Sequence, residues 1–162
     1  LHLSLRRQRQ MCIRDSIHVQ VLSRLKTLTA ADFSSGFSGL NLSDRVVIGA
    51  ALNAPQVPSA SIVFVDTIEQ QGRTLGRYIG ESVYQIVCYA GGDVLESRIK
   101  NAMNLAGDIQ KAITSDRTLG LSGLTQDVIV NFTALDGEEY GISNTGISLL
   151  EVRVSHQSQF GV

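Results

Sequence analysis

Gly91, Gly92 and Asp93 lie where the sequence predicts a change from a strand to a helix, the position at which phosphate-binding loops are found. They match neither the three spaced glycines of a dinucleotide-binding fingerprint nor a loop that ends in Gly-Lys-Ser/Thr. A carboxylate at position 93 would also repel a phosphate, whereas the dipole at the start of a helix favours it. We therefore expect Asp93 to cap a helix and the turn to have no catalytic role.

A second glycine-rich stretch, the connection from Glu69 to Gly80, interleaves Arg73 and Arg77 with three glycines. Such a segment can bind a small anion, but it is also typical of a hairpin tip with solvated cations. A third reading is a loop that becomes ordered against a neighbouring subunit. The candidate subunit-interface residues come from this connection and from an acidic one further along: Arg73, Leu75, Arg77, Tyr78, Glu138 and Glu139.

The other residue types that support catalysis or metal binding are not grouped in the sequence. His2, His18 and His156 have no metal-ligand spacing, and Cys88 lies in an apolar stretch typical of a buried thiol. No serine has the context of a nucleophile elbow. The acidic connection 136–144 has too few ligands in register for a calcium loop. The sequence therefore predicts no enzyme, no cofactor and no metal site.

Hydrophobic periodicity predicts the elements that position these residues. A helix from Ile17 to Leu28 is followed by a polar, Ser- and Gly-rich stretch, and a longer helix runs from Asp93 to Thr114. The predicted core face of the long helix is Leu95, Ile99, Ala102, Met103, Ala106, Ile109 and Ile113. Strands are predicted over residues 45–52, 60–68, 82–89, 127–135 and 147–155.

The order of helix, strands, helix and strands predicts an α+β fold of two layers. We expect one mixed or mainly antiparallel sheet, with the long helix packed on one face and the shorter N-terminal helix beside it. Valine and phenylalanine at successive positions of strand 60–68 predict that it is covered on both faces. In strand 147–155, Leu149, Glu151 and Arg153 form a half-polar face that contacts either solvent or a neighbouring copy. Residues 16–155 are expected to form one domain, and 156–162 a frayed tail.

Residues 1–15 are expected to be a non-native or disordered extension. The stretch from Met11 to Ser16 resembles the in-frame translation of a transposon end used to tag DNA libraries. Residues 1–15 have four arginines against Asp15, a net charge of +3, so the chain's net charge of −1 leaves −4 on residues 16–162. An acidic domain argues against nucleic acid as the main partner. No apolar run reaches the roughly 20 residues needed to cross a bilayer.

Four short motifs occur in an order found in one phage protein family. They are Arg24-Leu25-Lys26-Thr27-Leu28, Ala54-Pro55-Gln56-Val57-Pro58 before an apolar strand, Asp116-Arg117-Thr118-Leu119-Gly120, and Leu150-Glu151-Val152-Arg153-Val154. This order resembles the tail terminator or tail-completion proteins of long-tailed phages, similar to minor tail protein U. The chain departs from the family in having Arg117 where a proline is usual, and a longer Ser/Gly-rich region over residues 29–44.

The resemblance implies a structural virion protein, encoded by a phage or prophage, that forms a ring, usually a hexamer. Such a ring lies on the last ring of the tail tube, stops tube growth and offers a surface to the head connector. The implied partners are copies of the chain itself, the tail tube protein and the head–tail connector protein. The implied location is the virion tail, assembled in the host cytoplasm. Two alternatives stay open: another head–tail connector or neck protein, and a small-ligand-binding α+β regulatory domain.

Overall fold

The computed structural model describes residues 2–27, 42, 44–49, 56–70, 77–121, 125–136 and 144–159. The elements in chain order are α1 (His2–Lys26), β1 (Val46–Ile48), β2 (Ser59–Gln70), β3 (Arg77–Gly91), α2 (Leu95–Thr114), β4 (Thr125–Asp136) and β5 (Thr145–Gln159). The five strands form one sheet, and both helices lie on the same face of it. The predicted α+β architecture is confirmed.

The sheet has the strand order β1-β2-β3-β5-β4. Only β1 and β2 are parallel, and every other pair is antiparallel, so the sheet is mixed. The central strands β3 and β5 pair over their full lengths, from Arg77 opposite Gln159 to Gly91 opposite Thr145. These long strands form the scaffold on which the remaining elements pack.

Two predicted boundaries are wrong because the strands extend further than their apolar patterns. The connection predicted from Glu69 to Gly80 is much shorter, since β2 continues to Gln70 and β3 begins at Arg77. The tail predicted to fray from residue 156 is paired as far as Gln159, and His156 is only 2% exposed. In both places backbone hydrogen bonds to a long neighbouring strand outweigh a polar sequence. Residues 160–162 lie outside the described part.

The buried face of α2 agrees with the predicted one at Ala102, Ala106, Ile109 and Ile113 and differs from it elsewhere. Leu95 and Met103 are 47% and 42% exposed, and Ile99 is half-buried, whereas Leu105 is fully buried. The buried residues of α2 follow one another at intervals of three and four positions and form one stripe along the helix, and Met103 lies to the side of this stripe. The buried residues of α2 are Arg98, Ala102, Leu105, Ala106, Ile109 and Ile113.

The start of α2 is held close to the sheet by two glycines. A Cβ atom at Gly146 of β5 would overlap the backbone carbonyl of Arg98, and one at Gly92 would lie 2.5 Å from Ser97 Oγ. The predicted cap at Asp93 is wrong, because the N-cap residue is Val94. Ser97 Oγ accepts a hydrogen bond from Val94 N–H and donates one to the Val94 carbonyl. A side chain inside the first turn therefore replaces the expected carboxylate.

Helix α1 begins at His2, well before the predicted start at Ile17, and its backbone continues unbroken through Ser16. With 25 residues α1 is longer than α2, which has 20, so the prediction of a shorter N-terminal helix is wrong. That residues 1–15 are a non-native or disordered extension stays a prediction. Ile17, Val21 and Leu25 are fully buried in the core, as their spacing predicts. Neither of the described helices is long and apolar enough to cross a membrane.

Candidate functional site

The face of the sheet opposite the helices, called the outer face below, has no described helix or strand packed on it. Paired strands place Glu81, Val83, Glu151 and Arg153 on this face, because antiparallel partners point to the same side. The outer face is buried at one end, where Ser59 and Ser61 are fully buried and Tyr89 is 6% exposed. It is open at the other end, where its charged residues lie.

Arg153 is the centre of the open end. Its Nε atom lies 2.6 Å from Glu151 Oε1, and its Nη1 atom lies 3.4 Å from Glu81 Oε1 on the neighbouring strand. The hydrogen bond and charge of Glu151, with a smaller contribution from Glu81, raise the pKa of Arg153 above its ordinary value. One arginine against two carboxylates leaves this cluster with a net negative charge. The half-polar face predicted at Leu149, Glu151 and Arg153 is thus present and lies opposite the helices.

Exposed isoleucines lie at both edges of the outer face. Ile68 of β2 is 43% exposed and pairs with Glu81, and Ile129 of β4 is 49% exposed and pairs with Arg153. Since Glu81 and Arg153 share the outer face, both isoleucines lie on it too. The prediction that β2 is covered on both faces is therefore wrong for its second half, where Val65 at a β-bulge is 52% exposed.

The outer edge of β4 pairs with no other strand that the structure describes. Gln110 of α2 reaches this edge, where its Nε2 atom donates to the Val130 carbonyl at 3.4 Å. At the opposite edge of the sheet, β1 covers only residues 60–62 of β2. Unpaired strand edges can accept a further strand. The described fold therefore has two different edges available for pairing.

Asp116, in one of the family-like motifs, organises the end of α2. Its Oδ1 atom accepts hydrogen bonds from Thr118 N–H at 2.9 Å and from Thr118 Oγ1 at 2.6 Å. Its Oδ2 atom accepts one from Gly120 N–H at 2.8 Å and one from Arg24 Nη2 at 2.7 Å. The Thr118 hydrogen bonds, followed by those of Gly120 and the charge of Arg24, lower the pKa of Asp116.

This arrangement joins two motifs that are far apart in the sequence. Arg24 belongs to the motif at residues 24–28, and its ion pair with Asp116 ties α1 to the end of α2. Gly120 has a positive φ of 73°, as its predicted role in a left-handed turn requires. Arg117 forms an ion pair with Asp127 of β4 at 2.8 Å. The junction thus positions α1, α2 and β4 relative to one another.

A cleft of about 500 Å³ lies between α1 and α2. The charged residues that line it are Arg24, Asp108 and Lys111, and Arg24 is already engaged by Asp116. The turn at residues 91–93 offers less room, since Ser97 and Arg98 fill the space beside Gly92. The cleft between α1 and α2 therefore offers more room for a small ligand than the turn at residues 91–93 does.

Sequence reasoning missed a buried pair, Ser82 and His156. Ser82 Oγ lies 3.1 Å from His156 Nε2, although 74 positions separate the two residues. Both are buried on the helix face, and burial lowers the pKa of His156. A serine beside a neutral imidazole resembles a nucleophile and its base, but at 0% and 2% exposure neither can meet a substrate. The pair acts as a hydrogen-bonded part of the core.

Cysteine and metal-ligating residues form no further site in the described ranges. No three His, Cys, Asp or Glu residues there lie close enough to hold a metal ion. Cys88 is fully buried, and desolvation raises the pKa of its thiol far above the ordinary value, which suppresses the thiolate.

The structure describes only some of the predicted interface residues. Arg73, Leu75, Glu138 and Glu139 lie outside the described residues. Arg77 and Tyr78 were predicted in a loop, but they are the first residues of β3, paired with Gln159 and Ser158. The long partner strand β5 explains this correction. The described candidates for a subunit interface are instead Ile68, Ile129 and the charged cluster between them.

No protein family model matches this chain, and no curated protein sequence matches it.

Proposed function

We propose that this protein is a self-assembling structural subunit that forms a ring on the end of a phage tail tube and joins the tail to the head. A closed ring is built from heterologous interfaces, in which two different patches of one subunit meet in successive copies. The observation that supports this role is the pair of exposed isoleucines, Ile68 and Ile129, at opposite edges of one sheet.

The junction at Asp116 supports the resemblance on which the tail role rests. Of the family-like motifs, those at residues 24–28 and 116–120 meet through the ion pair of Arg24 and Asp116. The two segments are 92 positions apart at this contact, so their joint presence has a structural reason. The junction fixes the helix layer and leaves the outer face for a neighbour.

The test is electron microscopy of the full chain, alone and mixed with tubes assembled from a phage tail tube protein. We expect rings of uniform diameter, and tubes that end in one such ring and grow no further. A chain that stays monomeric at high concentration and leaves tube length unchanged would contradict the proposal.

The competing function, a small-ligand-binding domain, is supported by the cleft between α1 and α2, where Lys111 is an exposed cation. It predicts that inorganic phosphate raises the melting temperature, by an amount that grows with the logarithm of its concentration once this exceeds the dissociation constant. The variant Lys111→Gln removes the cation and would abolish that rise. Ring formation without any phosphate effect would favour the structural role.

A further inference from the structure

We infer that successive copies of this chain join by strand pairing, with β4 of one copy adding to the outer edge of β2 of the next. The inference rests on the proposed self-assembly and names the surfaces that perform it. The result would be one continuous sheet around the ring, with the outer faces of all copies on the same side.

Strand directions fit this arrangement. Following the pairs from β2 through β3 and β5 to β4, direction reverses three times, so β4 runs opposite to β2 within one copy. A rotation about an axis parallel to the strands keeps these directions in the next copy. β4 and the neighbour's β2 therefore meet as antiparallel strands without turning either sheet over.

Backbone hydrogen-bonding groups fit as well. The Ile62 carbonyl points away from β3, because it accepts a hydrogen bond from Gly49 N–H beside β1. In antiparallel strands this direction alternates with each residue. We call a backbone N–H or C=O outward when it points away from the neighbouring strand of its own sheet. Counted along the paired strands, these groups belong to residues 67 and 69 on β2 and to 128, 130 and 132 on β4. The contact from Gln110 to the Val130 carbonyl has the same direction.

One register satisfies both the backbone and the side chains. When Thr67 of one copy is opposite Val130 of the other, and Glu69 opposite Val128, outward backbone groups meet outward backbone groups. Ile68 is then directly opposite Ile129 on the shared outer face. That position is a non-hydrogen-bonded pair, in which side chains approach closely, so two exposed isoleucines are buried together.

The test is disulfide cross-linking in the full chain with the exposed Cys12 replaced, Cys12→Ser. Ile68→Cys and Ile129→Cys are made separately and together, and are oxidised with copper phenanthroline. The α carbons of a non-hydrogen-bonded pair are about 4.5 Å apart, within the range that a disulfide bridges. We expect cross-linked dimers when the two single variants are mixed, and a ladder of multimers from the double variant. Met103→Cys, exposed on α2, is the matched control and should stay uncross-linked.

Three results would overturn the inference, and they separate it from the proposed function. Dimers from Ile129→Cys alone would show that β4 pairs with β4. Multimers in native mass spectrometry without any cross-link would reject strand pairing but leave ring formation standing. Monomers in every sample, with no cross-link, would reject both.

Discussion

The two faces of the sheet differ in what their side chains contact. On the helix face, Tyr84, Ile86, Leu150 and Val152 are fully buried beneath α1 and α2. On the open end of the outer face, Arg153 is 42% exposed and its contacts are carboxylates. Burial of apolar area stabilises the fold, whereas exposed groups contribute little until a partner covers them. The helix face therefore accounts for stability, and the open end of the outer face is left for the proposed assembly.

The largest effect is expected from Ile109 on the helix face. Ile109→Ala removes a fully buried side chain and should lower the free energy of unfolding by about 2–5 kcal/mol. Met103→Ala, at an exposed position of the same helix, should change it by less than about 1 kcal/mol. Urea denaturation followed by circular dichroism measures both. Equal losses would show that the helix packs on the sheet in a different rotation.

The close approach of α2 to β5 gives the next effect. Gly146→Ala forces the sheet and the Arg98 backbone apart and should cost about 1–3 kcal/mol. The control is Gly107→Ala in the same helix, where a new Cβ atom meets nothing within 4 Å. That change should stabilise by about 0.5–1 kcal/mol through helix propensity. Thermal unfolding of the pair tests the contact, and opposite signs are the expected result.

Protonation of His156 should weaken the helix-face core. Burial lowers its folded-state pKa below the ordinary value of 6.5. Between the folded pKa and about 6.5, the unfolded chain binds a proton that the folded chain does not, so stability falls as the pH falls through this window. Melting temperatures at a series of pH values would show the loss, and His156→Gln should reduce it. An identical pH profile for the variant would exclude His156 as the cause.

The junction at Asp116 is expected to give a smaller change. Asp116→Asn keeps a side-chain oxygen for Thr118 but removes the charge opposite Arg24. Asp116→Ala removes both, so its melting temperature should fall further than that of the asparagine variant. Calorimetry on both proteins checks the order, and equal losses would show that the ion pair outweighs the backbone hydrogen bonds.

The smallest effect on stability is expected on the outer face. Ile129→Lys replaces a side chain that is 49% exposed and should change the free energy of unfolding by no more than about 0.5 kcal/mol. The same substitution should abolish assembly, because it puts a charge into the proposed strand pair. A large loss of stability would show that Ile129 belongs to the core.

The sequence predicts much of the fold because its local patterns are clear. The alternation in β4 and β5 identified both strands, and the apolar spacing of residues 95–113 identified α2. Of the predicted face of α2, Ala102, Ala106, Ile109 and Ile113 are buried. The exposed Met103 was included and the buried Leu105 was not, because each fits a helical stripe with these residues. Arg98 is 6% exposed, and its Nη1 atom contacts Asn144 Oδ1 at 3.3 Å across 46 positions. No local pattern contains such a pair.

The candidate site was harder to predict from the sequence, because its contacts also join residues that are far apart in the chain. A half-polar outer face at Leu149, Glu151 and Arg153 was predicted from alternation alone. That Glu81 approaches Arg153, and that Ile68 and Ile129 share one face, follows from strand order and register. Register is set by pairing between strands, not by the composition of either one.

The central claim is most directly tested by native mass spectrometry of the full chain and of Ile129→Lys at matched high concentration. We predict a single closed multimer for the unaltered chain, and folded monomers for the variant. An identical multimer in both samples would contradict it, because assembly would then use a surface other than the open edges of the sheet.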